Sequence, residues 1–251
     1  MMLLSSFIFG VVFGSFLNVV IYRLKTRQNL VFGGSFCPQC KTKLKWHDLV
    51  PILSFMYLRG RCRYCHKKIS WQYPIVELLS GFLWVGIFYK FSLFVNIYYI
   101  FILSSLLVIA VYDAKYFIIP DRITYPAIVA SVFYNGFQAF LFQDLKGYFL
   151  IPLLTALVAF SFFFLIFYFS SGRAMGLGDA KLAILIAIFL GPLAAFIAFD
   201  LAFILGGIYG IILLMIGKKT LKSAISFGPF LVIGAITALF VSNFILKFLN
   251  I

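Results

Sequence analysis

Charge is scarce in this chain. Charged side chains make up 11% of its 251 residues and apolar ones 64%, where a soluble domain carries about a quarter charged residues. That shortage excludes a water-soluble globule. Together with several apolar runs of roughly 20 residues, it leaves a multi-spanning membrane protein. Internal repeats, low-complexity tracts, heptads and a nucleotide-binding glycine loop are also missing. The first apolar run, Leu3 to Ile21, has no basic residue before it and no Ala-x-Ala-type cleavage site. It is therefore expected to remain as a span and not to be removed as a signal peptide.

Negative charge is the scarcer sign: seven Asp and Glu stand against 21 Lys and Arg, a net charge of +14. In a membrane protein such an excess marks cytoplasmic loops, and no nucleic-acid partner is expected. The runs predict an all-α polytopic fold with about eight spans, over 3–22, 74–89, 93–112, 125–142, 148–169, 180–190, 193–216 and 229–249. The sixth is short and stops at Gly191-Pro192, which suits a half-span paired with the seventh. With the N-terminus outside, 18 of the 21 basic residues fall in inside loops, including Lys218, Lys219 and Lys222, and only Lys90, Lys146 and Lys247 fall outside. Asp48, Glu77, Asp113, Asp121 and Asp179 then share the cytoplasmic edge, where they are placed to receive a basic peptide segment. For Asp48 and Asp121 the plainer reading is that they trim local charge.

This divides the chain into a first span (1–22), a cytosolic loop (23–72) in contact with lipid headgroups, and a membrane domain (73–251). The loop is the only polar stretch long enough to fold outside the bilayer, and it holds all four cysteines, in Cys37-Pro38-Gln39-Cys40 and Cys62-Arg63-Tyr64-Cys65. Two Cys-x-x-Cys pairs suit a tetrahedral zinc ion held by four thiolates, and a reducing compartment disfavours disulfides. Redox-active or free thiols are the alternatives. His47 and His66 are spare ligands that four cysteines make unnecessary. Trp46 and Trp71 suit interface anchors. Asn18 reads as helix–helix glue, and Glu77 as a dipole partner near the start of the second span.

Two carboxylates lie where a carboxylate is costly. Asp113 ends the run Leu106-Leu107-Val108-Ile109-Ala110-Val111-Tyr112, and Asp179 sits in Gly176-Leu177-Gly178-Asp179-Ala180-Lys181. Two carboxyls that meet over one water cannot both ionise. One can then take a proton from the water while the other donates to the leaving amine. The pattern thus points to a membrane aspartic protease. The glycines would give close approach or room for an extended peptide, and Lys181 either anchors the helix at the interface or biases the charge on Asp179. Asp144 and Asp200 fall towards the outer face.

These segments resemble the type IV prepilin peptidases, or leader peptidase/N-methyltransferases. The likeness runs through Gly14-Ser15-Phe16-Leu17-Asn18, both cysteine pairs, Leu58-Arg59-Gly60-Arg61-Cys62, Tyr73-Pro74-Ile75-Val76-Glu77, Asp113, Ile119-Pro120-Asp121, Gly176–Lys181 and Phe227-Gly228-Pro229-Phe230-Leu231. The resemblance implies cleavage of a short basic leader from prepilins or pseudopilins after a glycine, on the cytoplasmic side of the cell membrane. N-methylation of the new terminus with S-adenosylmethionine follows. It makes Asp113 and Asp179 the catalytic pair and Cys37, Cys40, Cys62 and Cys65 the metal ligands. It associates methyl transfer with the cysteine loop, where Gly60 and Arg61 are candidates. Ser226 stands where the pattern predicts proline, a departure expected to affect a bend and not the chemistry. Two rivals fit less well. A presenilin-like protease carries its aspartates on adjacent spans, and a proton-coupled transporter using Asp113, Asp179 and Asp200 needs a relay that crosses the bilayer.

Overall fold

The computed structural model describes residues 2–29, 33–173, 175–217, 220 and 223–249. The predicted loop residues Lys218, Lys219 and Lys222 lie outside them. The described residues form helices α1 (Met2–Thr26), α2 (Leu53–Tyr57), α3 (Gln72–Lys90), α4 (Leu93–Tyr116), α5 (Asp121–Phe142), α6 (Ile151–Ser170), α7 (Leu177–Leu190), α8 (Pro192–Met215) and α9 (Gly228–Leu249). Apart from the short α2, each coincides with one predicted span. Among the described residues, four stretches are long and apolar enough to cross a bilayer, Met2–Thr26, Val95–Tyr116, Lys146–Ser170 and Pro192–Met215, fewer than the eight spans expected. Two compact units divide the chain, Met1–Val108 and Ile109–Ile251.

In the first unit α1 packs on α3 along a stripe of small residues. Gly10, Gly14, Leu17, Asn18 and Ile21 recur at helical spacing and are buried, facing Val76, Glu77, Ser80 and Gly81. A Cβ on Gly14 would lie 2.7 Å from the Glu77 Cα and one on Gly10 2.9 Å from the Gly81 Cα, so only glycine admits this approach. Close backbone packing is how helices associate where the hydrophobic effect is weak. Asn18 joins the two helices, as expected: its Nδ2 donates to the Tyr73 carbonyl at 3.0 Å and its Oδ1 accepts from Gln72 Nε2. Glu77, near the start of α3, does more than face a dipole. Its Oε2 accepts the Ile52 N–H at 2.8 Å and so ties α2 to α3.

The second unit is built around α7. Ala180, Leu182, Ala183, Leu185, Ile186 and Ala187 have no exposed surface, and the neighbours packed on α7 are α5, α6, α8 and α9. A helix apolar on every side belongs inside a bundle. At 14 residues it is roughly 21 Å long, short of the ~30 Å hydrocarbon core. Gly191 stops it with φ +73°, and Pro192 opens α8 at the position where its missing N–H costs nothing. Asn135 on α5 donates to the Ile188 carbonyl at 3.0 Å, satisfying one of the end carbonyls that a helix leaves free.

The α1–α3 seam can be tested directly. Gly14→Leu forces the helices apart and is expected to cost about 1–3 kcal/mol, read as a lowered unfolding temperature in detergent; an unchanged midpoint would show that the seam tolerates separation.

Candidate active site

Asp113 and Asp179 both fall in the second unit, 5% and 8% exposed. Asp113 lies in the last turn of α4, which runs to Tyr116 and so extends past the predicted end of its span. The Asp113 carbonyl accepts the Phe117 N–H at 2.8 Å, and Phe117 takes φ +56° to end the helix. Pro120 then disfavours helix before it, and α5 starts at Asp121. Asp179 is the third residue of α7. Its Oδ2 accepts the Gly176 N–H at 3.0 Å, the carboxylate half of a capping box.

Asp113 has an equivalent arrangement at another helix start. Its Oδ2 accepts the Gly228 N–H at 3.0 Å, at the first residue of α9. Each carboxylate therefore sits at a helix N-terminus, where orphan N–H groups and the helix dipole favour negative charge. A second donor reaches the same Oδ2 of Asp113: the hydroxyl of Ser226. Ser226 was expected to shape a bend only, and this hydrogen bond corrects that reading. Proline cannot donate there, so the departure from the pattern places a polar contact on the aspartate itself.

Three contacts fix the positions of the two carboxyls. The α9 start holds Asp113 through Ser226 and Gly228. Gly178 packs on the turn that follows Asp113, where an added Cβ would lie 3.1 Å from Ile119 Cβ. Lys181 Nζ reaches Asp121 Oδ1 at 2.8 Å, joining α7 to the start of α5. Lys181 is thus spent on Asp121 and on the Tyr125 ring, which settles what it touches: it trims the charge of Asp121. The two glycines differ in role. Gly178 eases a close approach to Ile119, whereas Gly176 has ordinary extended angles and open space beyond Asp179 Oδ2 at 3.5 Å. Asp113 lies close enough to Asp179 for its charge to act there. The Oδ1 atoms of both accept no hydrogen bond from the described residues and are left for water, substrate or a shared proton.

The cysteines form the other cluster, in the first unit. The four Sγ atoms of Cys37, Cys40, Cys62 and Cys65 lie within 4.8 Å of one another, and neither His47 nor His66 belongs to the group. The two Cys-x-x-Cys segments fold alike. The Cys37 N–H donates to the Thr42 carbonyl and the Cys62 N–H to the Lys67 carbonyl, while the Lys41 and His66 amides return to Cys37 and Cys62. Both turns pass through left-handed residues, Lys41 at φ +60° and His66 at φ +55°. This local repeat was missed in the sequence although it is written there: Cys37-x-x-Cys40-x-x-Lys43-x-x-Trp46 has the same spacing as Cys62-x-x-Cys65-x-x-Lys68-x-x-Trp71. Cys37 and Cys65 are 3.9 Å apart, too far for a disulfide, and all four cysteines are free.

Four thiol groups so close fit a metal ion. Hydrogen bonds from the Thr42 side chain and amide hold the Cys40 thiol down to about 6. Cys65 goes the other way: the Lys67 amide favours its thiolate, but burial and the three neighbouring thiols push it up to about 11. The cluster thus carries thiolate beside thiol, a donor set that a divalent cation would deprotonate fully. Asp48 braces the second pair. Burial opposes its charge, but Arg63 Nε at 2.7 Å, the Lys45 amide and the Tyr64 hydroxyl outweigh this and keep the carboxyl below its usual range. Gly60 enters the second knuckle at φ +66°, and Arg61 is exposed and bridged to Lys68.

Comparison with known proteins agrees in both units. A family model described as the Bacterial Peptidase A24 N-terminal domain matches residues 8–91, and one described as the Type IV leader peptidase family matches residues 100–211. A Klebsiella pneumoniae protein named prepilin leader peptidase/N-methyltransferase is 35% identical over 204 residues, covering 74% of this chain and 85% of its own length. A Bacillus subtilis protein of the same name is 30% identical, with 98% of this chain and 97% of its own covered. A Legionella pneumophila protein, again so named, is 31% identical over 93% and 89%. No solved structure matches the chain. Asp113 and Gly176–Lys181 lie inside the second matched region and all four cysteines inside the first, and on this footing the chain belongs to the type IV leader peptidase family.

Proposed function

We propose that this protein is an aspartic endopeptidase that removes the basic leader from type IV prepilins or pseudopilins at the cytoplasmic face, after a glycine. It then methylates the new N-terminus. The observation that carries the reading is the pair of buried carboxyls, Asp113 and Asp179, each held through Oδ2 at a helix N-terminus with Oδ1 left uncommitted. The names of the relatives supply the substrate class and the second activity. The charge distribution supplies the orientation, with N-terminus outside and both sites at the inner surface of the cell membrane.

Chemically, one water bridges the two Oδ1 atoms. The ionised carboxyl takes a proton as the water oxygen attacks the scissile carbonyl carbon. The protonated carboxyl gives its proton to the departing nitrogen as the C–N bond breaks, so the dyad ends with one proton, as it began. The pair titrates as a unit and the roles belong to it jointly. Helix N-termini on the far oxygens keep both carboxyls aimed without competing for the water.

Cys37, Cys40, Cys62 and Cys65 would hold a zinc ion that staples the loop, whose own core is small. The methyl donor, S-adenosylmethionine, supplies an electrophilic methyl group when bound. Gly60 and Arg61 on the surface of that loop remain the candidates for its site.

With a purified prepilin, Asp113→Asn and Asp179→Asn are each expected to reduce cleavage by at least about 10³-fold while the proteins elute and unfold like wild type. Full activity in either variant removes the dyad. With S-adenosylmethionine present, mass spectrometry of the product should show loss of the leader and gain of one methyl group; cleavage without the methyl discards the second activity alone. Elemental analysis should find about one zinc per chain, absent from a Cys37→Ser/Cys62→Ser variant. Protein that is fully folded yet metal-free would exclude the structural ion.

A further inference from the structure

Ser226 is the residue that departs from the family pattern, and it is also the side chain that donates to Asp113. Its hydroxyl and the Gly228 amide both donate to Oδ2 of that carboxyl. With Oδ2 taken up by these two contacts, Oδ1 is the oxygen of Asp113 left for water. A Cβ on Gly228 would lie 2.6 Å from the same Oδ2, so the carboxyl is seated directly on the backbone at the start of α9. Ser226 is half-buried and Asp113 buried, which strengthens a hydrogen bond to a carboxylate. The other charge felt within this site is that between Asp113 and Asp179, since Asp121, on the neighbouring helix, is engaged by Lys181.

Resting on the dyad assigned above, we infer that Ser226 is a positioning residue of the peptidase: its hydroxyl fixes the rotation of the Asp113 carboxyl and favours its ionised form. The orientation of one carboxyl of the pair is therefore set by a side chain as well as by backbone. The Ser226 proton stays on its oxygen throughout, and the bond is made in the ground state and kept in the transition state.

The test separates hydroxyl from bend. Purified full-length Ser226→Ala, Ser226→Thr and Ser226→Pro variants are assayed for prepilin cleavage against pH, with Asp113→Asn alongside. A carboxylate that loses a donor needs a higher pH to ionise. Ser226→Ala is expected to lower kcat about 10-fold, to leave KM near its wild-type value, and to move the acid limb of the profile up by about one pH unit. Ser226→Thr keeps the hydroxyl and the wild-type limb. Ser226→Pro supplies the bend without the donor and follows the alanine variant. The inference is overturned if the alanine profile superimposes on wild type, or if proline restores what alanine loses. Should Asp113→Asn remain active, the dyad itself fails and takes this role with it. An inactive Asp113→Asn beside an unaltered Ser226→Ala removes the serine alone.

Discussion

Two acids buried in one helical unit would repel and desolvate at great cost, and the second unit answers both costs with helix ends. Asp179 caps its own helix through Gly176, and Asp113 caps a different one through Gly228. A helix N-terminus supplies unpaired N–H groups and a positive dipole end, so it stabilises a carboxylate without adding a cation that would quench the pair. Lys181, two residues from Asp179, is diverted to Asp121. That diversion leaves Asp179 without a contact from Lys181.

The seating of the acids also explains the construction of the unit. The short helix α7 is buried on all sides, and its start delivers Asp179 at the level of the turn that follows Asp113. Glycine at 178 lets that start rest closely on Ile119, where an added Cβ would crowd the side chain. The break at Phe227-Gly228-Pro229 has the same logic: Pro229 opens α9 and Gly228 exposes the N–H that Asp113 takes. The first unit uses different means, glycine seams within the bilayer and a thiol cluster outside it, because a loop of some fifty residues has too little apolar surface to fold unaided.

Much of this was legible in the sequence. Apolar run length located each long helix, since a segment that must satisfy its own backbone in lipid has few other options. The two aspartates stood out because acids are so rare in the chain, and the cysteine spacing declared its cluster. The partners of Asp113 were not legible. Ser226 and Gly228 lie 113 and 115 residues away, and nothing local in Ser-Phe-Gly-Pro says which carboxylate will meet it. The break before α9 was visible as a bend; its free N–H was the signal that could have suggested an acid nearby. Lys181 carried two readings, an interface anchor or an influence on Asp179, and its contacts are with Asp121 and Tyr125. Proximity in sequence to Asp179 suggested an influence there, yet residues two apart on a helix face different sides.

The departure at Ser226 bears on how such a site can vary without losing its chemistry. Bend and donor are separable requirements. The Gly228 amide alone gives Asp113 one donor, available whichever residue stands at 226, because it belongs to the backbone. A hydroxyl two residues earlier adds a second on the same oxygen, and so acts on the protonation balance of the pair while leaving its geometry in place. In this chain the backbone N–H groups of Gly176 and Gly228 hold the acids, so the side chain at 226 is free of the burden of holding the site together.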